Sequence, residues 1–564
     1  MYGRKPPRPS GGNSIVLTCA FAASVMLTAG AATAADITRG STTGQTDAPG
    51  YDHPNQYLHV QAESIAENME PVIPHADQER EARQKLDELE QKFGKKPNIL
   101  IFLMDDVGWM DPGFNGGGTA VGNPTPNMDK LAREGLILTS AYSTPSCTPT
   151  RASIHTGQNP LHHGLLRPAL YAEPGGLDGA VTIADVLDDL GYFTQGVGKW
   201  HMGENEGSLP QNVGYDDYYG FLSVSDMYTE WRDVYFNPEI ALSPSRTEMM
   251  EKLPFNRNNV HCVKGQKQCE NTYEINLTTI KNLDQDWAAY SEKFIRDRAD
   301  NDQPWFLYHA PRGCHFDNYP NEEYAGKSPA RTVYSDCMVE MDDVLARLYK
   351  ALEDSGQIEN TLIILSSDNG PECEVPSHGR TPFRGCKGST WEGGVRVPTF
   401  AYWKGVIKPR ISDGLFDLTD LFNTAASLAG APGAEVAKYV PATGYYIDGI
   451  DQTSFLLADE GESNRRSIIY TLGDQMSAIR LDEFKMYMVV ELEQAVFDRG
   501  YTGGFTGAIV ETIPGGAVVN LYTNPGEDVG EGIRHLPVTT VISQEAERYE
   551  AVLEKYPPNI KIGF

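Results

Sequence analysis

Cys147-Thr148-Pro149-Thr150-Arg151-Ala152-Ser153-Ile154-His155-Thr156-Gly157 is the stretch on which the reading of this chain turns. It predicts a short helix with Thr148 as N-cap and Pro149 at the first helical position. Cys147 then stands at the positive end of a helix dipole, a place suited to an anion. Arg151, within the first turn, adds a fixed charge whose planar donors match an oxyanion. A lone Cys-x-Pro is more simply a buried cysteine beside a turn. The full run Cys-x-Pro-x-Arg followed by Thr-Gly is far more restrictive.

Upstream, Pro97 to Met104 is a continuous apolar run, the pattern of a strand covered on both faces. It ends in Asp105-Asp106, at the carboxyl end of a strand, where open α/β sheets place their sites. Two adjacent buried carboxylates need a cation, and hard oxygens suit Ca²⁺ or Mg²⁺; a surface Asp-Asp turn is the plainer alternative. Downstream, Tyr192 to Val197 reads as a strand running into Gly198-Lys199-Trp200-His201. Alternation would put Lys199 and His201 on one face. Trp305 to Tyr308 is a third strand, opening into His309-Ala310-Pro311-Arg312-Gly313-Cys314-His315. Thr361 to Ser367 is a fourth, ending in Asp368-Asn369-Gly370. Lys387 follows in a glycine-rich loop, and Arg396 is expected to brace that loop. Helices are expected over Asp77–Lys96, Thr125–Leu136, Val181–Leu190, Thr332–Asp354, Asp417–Leu428 and Ala546–Lys555. Residues 215–290 look like an irregular, aromatic insertion, with Ser225 and Asp226 as weak site candidates.

The chain has 564 residues, with 22% charged, 40% hydrophobic and a formal net charge of −30. This is an ordinary globular composition with an acidic surface. It argues against nucleic-acid binding and against attraction to anionic membranes. Arg4, Lys5 and Arg8 precede an apolar stretch from Ile15 to Ala32 and an Ala32-Thr33-Ala34 cleavage pattern. Residues 1–34 therefore read as a signal peptide, and the protein as exported, periplasmic or secreted; a retained anchor is the alternative. Export permits disulfides. Of eight cysteines, Cys19 would leave with the signal. Apart from Cys147, six then remain: Cys262 with Cys269 and Cys373 with Cys386 are the favoured local pairs. Cys314 with Cys337 is what is left, and six free thiols are the alternative. The expected organisation is an arm and charged helix over 35–96, a catalytic domain over 97–458 and a smaller α+β domain over 459–564.

Taken together, Asp105-Asp106, the Cys147 run, Gly198-Lys199-Trp200-His201, Asp368-Asn369-Gly370 and Lys387-Gly388 through Arg396 resemble the formylglycine sulfatases, in that family's order. Leu521-Tyr522 and Asn524-Pro525-Gly526-Glu527 are similar to its C-terminal pattern, with departures. The resemblance spans roughly residues 97 to 530. It implies an alkaline-phosphatase-like α/β fold: a large mixed sheet between helices, with a smaller C-terminal α+β domain. It implies that Cys147 is oxidised to formylglycine by a converting enzyme, and that Asp105, Asp106, Asp368 and Asn369 hold Ca²⁺ (Mg²⁺ less readily) beside it. It also implies hydrolysis of a sulfate monoester through a covalent sulfate on residue 147. Arg151 would hold the nucleophile, His201 would take its second proton, and Lys199 and Lys387 would bind sulfate. The family commonly carries a histidine where this chain has Arg312. Arginine binds sulfate but donates protons poorly, so the leaving-group proton falls to His315, or to His309. The substrate is a sulfated small molecule or glycan of unspecified type. A phosphonate or phosphodiester hydrolase of the same superfamily, and a non-catalytic binder of sulfated glycans, are the competing readings.

Overall fold

The computed structural model describes residues 62–375, 377–491, 510–528 and 533–563. The expected signal peptide, Cys19 and most of the expected arm lie outside them. All described residues belong to one compact unit. Its frame is a ten-stranded mixed sheet. Five neighbouring strands run parallel, in the spatial order Thr361–Ser367, Asn98–Met104, Trp305–Ala310, Phe193–Lys199 and Asp217–Phe221.

The Asn98–Met104 strand is buried at every residue. Its side chains alternate between two cores: Ile99, Ile101 and Leu103 enter one, and Leu100, Phe102 and Met104 enter the other. Coverage on both faces is the reason the strand is apolar from Ile99 onward. One face is covered by the Cys147–Thr156, Ile183–Asp189 and Asp420–Ala429 helices. On the other lies the Val333–Asp354 helix, which buries Tyr334, Met338, Met341, Leu345, Leu348 and Leu352, the stripe its spacing predicts.

Three expectations are corrected. Residues 215–290 are not an irregular insertion. Asp217–Phe221, Asn258–Val263 and Glu270–Glu274 extend the main sheet. The last of these strands is largely exposed, so no apolar alternation marks it in the sequence. Second, Cys314 and Cys337 are buried free thiols. Cys314 Sγ lies 3.2 Å from Met338 Sδ, packed as a small apolar group. The Cys262–Cys269 and Cys373–Cys386 disulfides are present. Third, the terminal helix begins at Leu536, not Ala546. Its first turns are mostly exposed or half-buried and carry little apolar signal.

Ser467–Leu472, Gln475–Leu481, Phe484–Glu491 and Val510–Asn520 form a four-stranded antiparallel sheet. The terminal helix packs on one face through Ile542 and Ala546. The other face meets Tyr142, Trp391 and Val395 of the main unit. At that junction Lys485 is fully buried. Its Nζ lies 2.7 Å from the Thr390 carbonyl, 3.0 Å from Glu392 and 3.3 Å from Glu527. The ammonium between them offsets much of the cost of burying two carboxylates. Lys485→Met is expected to destabilise the protein by about 3–5 kcal/mol, read as a lowered urea midpoint. An unchanged midpoint would show that the junction does not depend on the charge.

Candidate active site

The parallel strands all release the chain at one edge of the sheet, and the chemistry-bearing residues collect there. Asp105 and Asp106 follow Asn98–Met104, and Asp368 and Asn369 follow Thr361–Ser367. Lys199 ends Phe193–Lys199, with His201 two residues on, and His315 lies in the loop after Trp305–Ala310. The Cys147–Thr156 helix places Cys147 at its first position and Arg151 one turn later, both fully buried. Its N-cap is Ser146, not Thr148. The Thr148 hydroxyl instead donates to the His201 carbonyl at 2.7 Å and accepts the Ala169 N–H at 3.2 Å. A tertiary tie has displaced the local cap, and it fixes the helix start to the His201 segment.

Three carboxylates and three cations interleave, all of them buried. Lys199 Nζ lies 2.7 Å from Asp105 Oδ2. Lys387 Nζ is 2.7 Å from Asp106 Oδ1. Arg151 donates to Asp368 Oδ2 from Nη2 at 2.8 Å and from Nε at 3.0 Å. Burial would raise Asp105, but the Lys199, Arg151 and Lys387 charges outweigh it and hold its pKa low. Burial pushes Asp106 up to about 6, against the opposing pull of Lys387. It pushes Asp368 up to about 7, with Asp105 adding to the rise. Asp106 and His201 both adopt left-handed backbone, each with φ 58°, a conformation that costs non-glycine residues on the order of 1–3 kcal/mol and gathers at functional sites.

A divalent cation fits the chemistry of this cluster. Asp105 Oδ1 and Asn369 Oδ1 are buried oxygens without a hydrogen-bond partner. Asn369 Nδ2 donates to Asp106 Oδ1 at 2.7 Å, and the Asp106 N–H reaches Asp368 Oδ1 at 3.3 Å, so the four residues are contiguous. Asp105, Asp106 and His315 offer ligand atoms within 4.8 Å of one another. Hard oxygens dominate the set, which suits Ca²⁺ or Mg²⁺, and a cation would hold Asp106 and Asp368 ionised.

The histidines divide. His201 Nε2 donates to the Ala169 carbonyl at 3.0 Å, leaving Nδ1 an unpaired buried lone pair. Burial first, then Lys199 and Arg151, holds it well below its ordinary pKa. It is a neutral ring with a free acceptor, as a base requires. His315 gives Nδ1 to Asp317 Oδ1 at 3.2 Å and turns its unpaired Nε2 to within 3.8 Å of Asp106. His309 does not join the site. Its Nδ1 pairs with Ser291 at 2.9 Å and its ring stacks on Phe102, inside the second core. Strand alternation has turned it to the opposite face. Arg312 lies behind His315, with Nη2 2.8 Å from the Asp317 carbonyl. Asp317 escaped the sequence reading, although an acid two residues after His315 was a usable signal. It also accepts from Ser225 and Thr229. Cys147 is raised by burial, against the Lys199 and Lys387 charges, so at neutral pH it is a thiol and a weak nucleophile.

The sulfatase family model matches residues 97–431. The model for the putative sulfatase AslA C-terminal domain matches residues 477–554. Human arylsulfatase A is 32% identical over 383 residues, covering 67% of this chain and 70% of its own. The N-acetylgalactosamine-6-sulfatase of Canis lupus familiaris is 31% identical over 406 residues, covering 69% of this chain and 71% of its own. The crystal structure of PsFucS1 sulfatase from Pseudoalteromonas sp. matches with a TM-score of 0.83 at 38% identity, over 89% of this chain and 99% of that one. With that fold and those relatives, the chain belongs to the sulfatase family within the alkaline-phosphatase-like superfamily, and it is a sulfuric ester hydrolase.

Proposed function

We propose that the protein hydrolyses sulfate monoesters with a formylglycine made from Cys147, and that Asp105, Asp106, Asp368 and Asn369 hold Ca²⁺ beside it. The observation that carries this reading is the placement of Cys147. It sits at a helix start, buried as a thiol, within the field of the Lys199 and Lys387 charges. A thiol there is a poor nucleophile, whereas an aldehyde hydrate offers two hydroxyls, one to attack and one to expel the product. Bound Ca²⁺ would supply positive charge that lowers the pKa of a neighbouring hydroxyl.

The chain's own residues do the rest. Lys199 and Lys387 bind the sulfate oxygens and offset charge on the leaving oxygen. Arg151, held by Asp368, orients the hydroxyl at residue 147. One hydroxyl bonds to sulfur and sheds its proton to solvent, the ester S–O bond breaks, and the alcohol leaves with a proton from His315, which solvent restores. Burial, then Lys199 and Lys387, keeps free His315 neutral; the arriving anion is what lets it carry that proton. His201 Nδ1 then takes the proton of the second hydroxyl, the bond to sulfate breaks, and the aldehyde is restored. Arg312 supports the sulfate end through Asp317 and His315. His309 is withdrawn from this role by its position.

We also read the chain as exported. The two disulfides support an oxidising compartment. No helix among the described residues is long and apolar enough to cross a membrane. A formylglycine-generating enzyme is the maturation partner this scheme requires.

Four measurements test the reading. The peptide containing residue 147 should be lighter than its thiol form by about 18 Da; an intact thiol in the active protein, or faster turnover of a phosphodiester than of an aryl sulfate, would sink it. His201→Ala should release about one equivalent of alcohol per enzyme in a burst, then turn over about 10²–10⁴-fold more slowly. Loss of the burst as well would move His201 to the first step. Calcium at about 100 times its Kd should stabilise the wild type by about 2.7 kcal/mol, read as a rise in Tm. Asn369→Ala should reduce that rise, and an equal rise in both proteins would remove Asn369 from the cation site.

A further inference from the structure

The segment that follows the Leu536–Lys555 helix is built into the main unit. It runs beside the loop that leaves the short Pro160–His163 helix, and Leu165 and Ile562 form a parallel bridge. The Lys561 and Ile562 N–H groups both donate to the Gly164 carbonyl, at 2.8 and 3.0 Å. The Leu166 N–H donates to the Ile562 carbonyl at 2.9 Å. Ile562 is 3% exposed and belongs to the same core as Leu165, Trp200 and Met202. Lys561 Nζ reaches the Asp178 carbonyl at 2.9 Å. Two glycines make room for this segment. A Cβ on Gly164, whose φ is 78°, would lie 1.8 Å from the Asn559 carbonyl oxygen, and one on Gly175 would lie 2.8 Å from that of Lys561.

The hold continues to the active site. Arg167 Nε donates to the Gly563 carbonyl at 2.8 Å, and its Nη1 and Nη2 meet Glu173 Oε1 and Oε2 at 2.7 and 2.8 Å. Glu173 Oε1 accepts the Leu170 N–H at 2.8 Å, and the Glu173 N–H donates to the Leu170 carbonyl at 3.0 Å. Between Arg167 and Leu170 stands Ala169, whose carbonyl holds His201 Nε2. That bond keeps the ring hydrogen on Nε2 and leaves Nδ1 as the acceptor. Without it the ring can turn, or carry its hydrogen on Nδ1, and such a ring cannot take a proton there. The tip of the loop is strained: Tyr171 and Ala172 both have φ 52°. Such backbone persists where the surroundings over-determine it. Lys199, Lys387, Arg151 and His315 are held instead by Asp105, Asp106, Asp368 and Asp317. Loosening this loop therefore reaches the base and spares the groups of the first step.

We propose that Lys561, Ile562 and Gly563 are positioning residues for the reaction: they strap down the loop from Gly164 to Glu173, so that Ala169 holds His201 in the tautomer the second step needs. This rests on the role given to His201 above. The test uses the full chain with residue 147 converted, and 4-nitrophenyl sulfate as substrate. Ile562→Asp places a charge in the core and expels the strap, so the Leu166 amide should exchange faster with solvent. Its kcat should fall about 10- to 100-fold. KM should fall in the same proportion, leaving kcat/KM and a burst of about one alcohol per enzyme intact. Ile562→Val should behave as wild type. Should Ile562→Asp fail to fold, Lys561→Pro, which deletes one donor to Gly164, decides. Unchanged Leu166 exchange in both variants, faster exchange with unchanged kcat, or a smaller burst at unchanged KM would overturn the proposal. His201→Ala is the reference. If it loses the burst, the assignment of His201 to the second step falls, and the strap is then judged by whether Ile562→Asp shows the same loss in milder form.

Discussion

The pairing of Lys199 with Asp105, Lys387 with Asp106 and Arg151 with Asp368 is the constraint around which this molecule is built. All six charged side chains are buried. Burying them costs far more than any single pair returns, unless each has an opposite partner at contact distance. The sheet provides that arrangement by ending several parallel strands at one edge. Asp105 and Asp106 arrive together at the end of one strand and the other four charges on separate strands, loops or helices, and the group is closed only when all of these are in register. Fold and site are in this sense one structure.

The backbone around the cluster shows the same strain against order. Asp106 and His201 hold left-handed conformations that neither residue prefers. His201 is kept there by the Thr148 hydroxyl on its carbonyl and by Ala169 on its ring. The helix that delivers Cys147 is thus locked to the segment that delivers the base. Unpaired oxygens on Asp105 and Asn369 mark where the cluster is incomplete on protein groups alone.

The C-terminal sheet repeats the logic at smaller scale. Lys485 reaches from one strand into the main unit between Glu392 and Glu527. Glu392 is in turn held near a pKa of about 2: burial would raise it, but Lys485, Arg396 and Arg480 prevail. Arg396, read in the sequence as a brace, does brace: its Nε donates to the Thr139 carbonyl, and Nη1 lies 3.5 Å from Glu392. The loop that carries Lys387 is therefore anchored by the disulfide Cys373–Cys386 on one side and by this junction on the other.

Much of this was legible in the residues themselves. Ile99–Met104 and Leu362–Leu365 are apolar runs that lead to acids at the carboxyl ends of their strands, because the middle of a strand covered on both faces favours apolar side chains. The Val333–Asp354 helix declared itself by spacing. Cys147, Arg151 and the Asp and Asn pairs stood out because their chemistry is local and short. Other features depended on what lies across the fold. Whether Thr148 caps its helix or ties down His201, and whether Cys314 finds Cys337 or Met338, is decided by neighbours far away in the chain. His309 and His315 are six residues apart and look alike in sequence, yet strand alternation buries one in the core while the loop carries the other to the carboxylates. Asp317 has no motif, only a position. The sequence determined which chemistry this protein holds; the tertiary structure decided which of its polar groups face that chemistry, because facing is set by register and burial rather than by residue type.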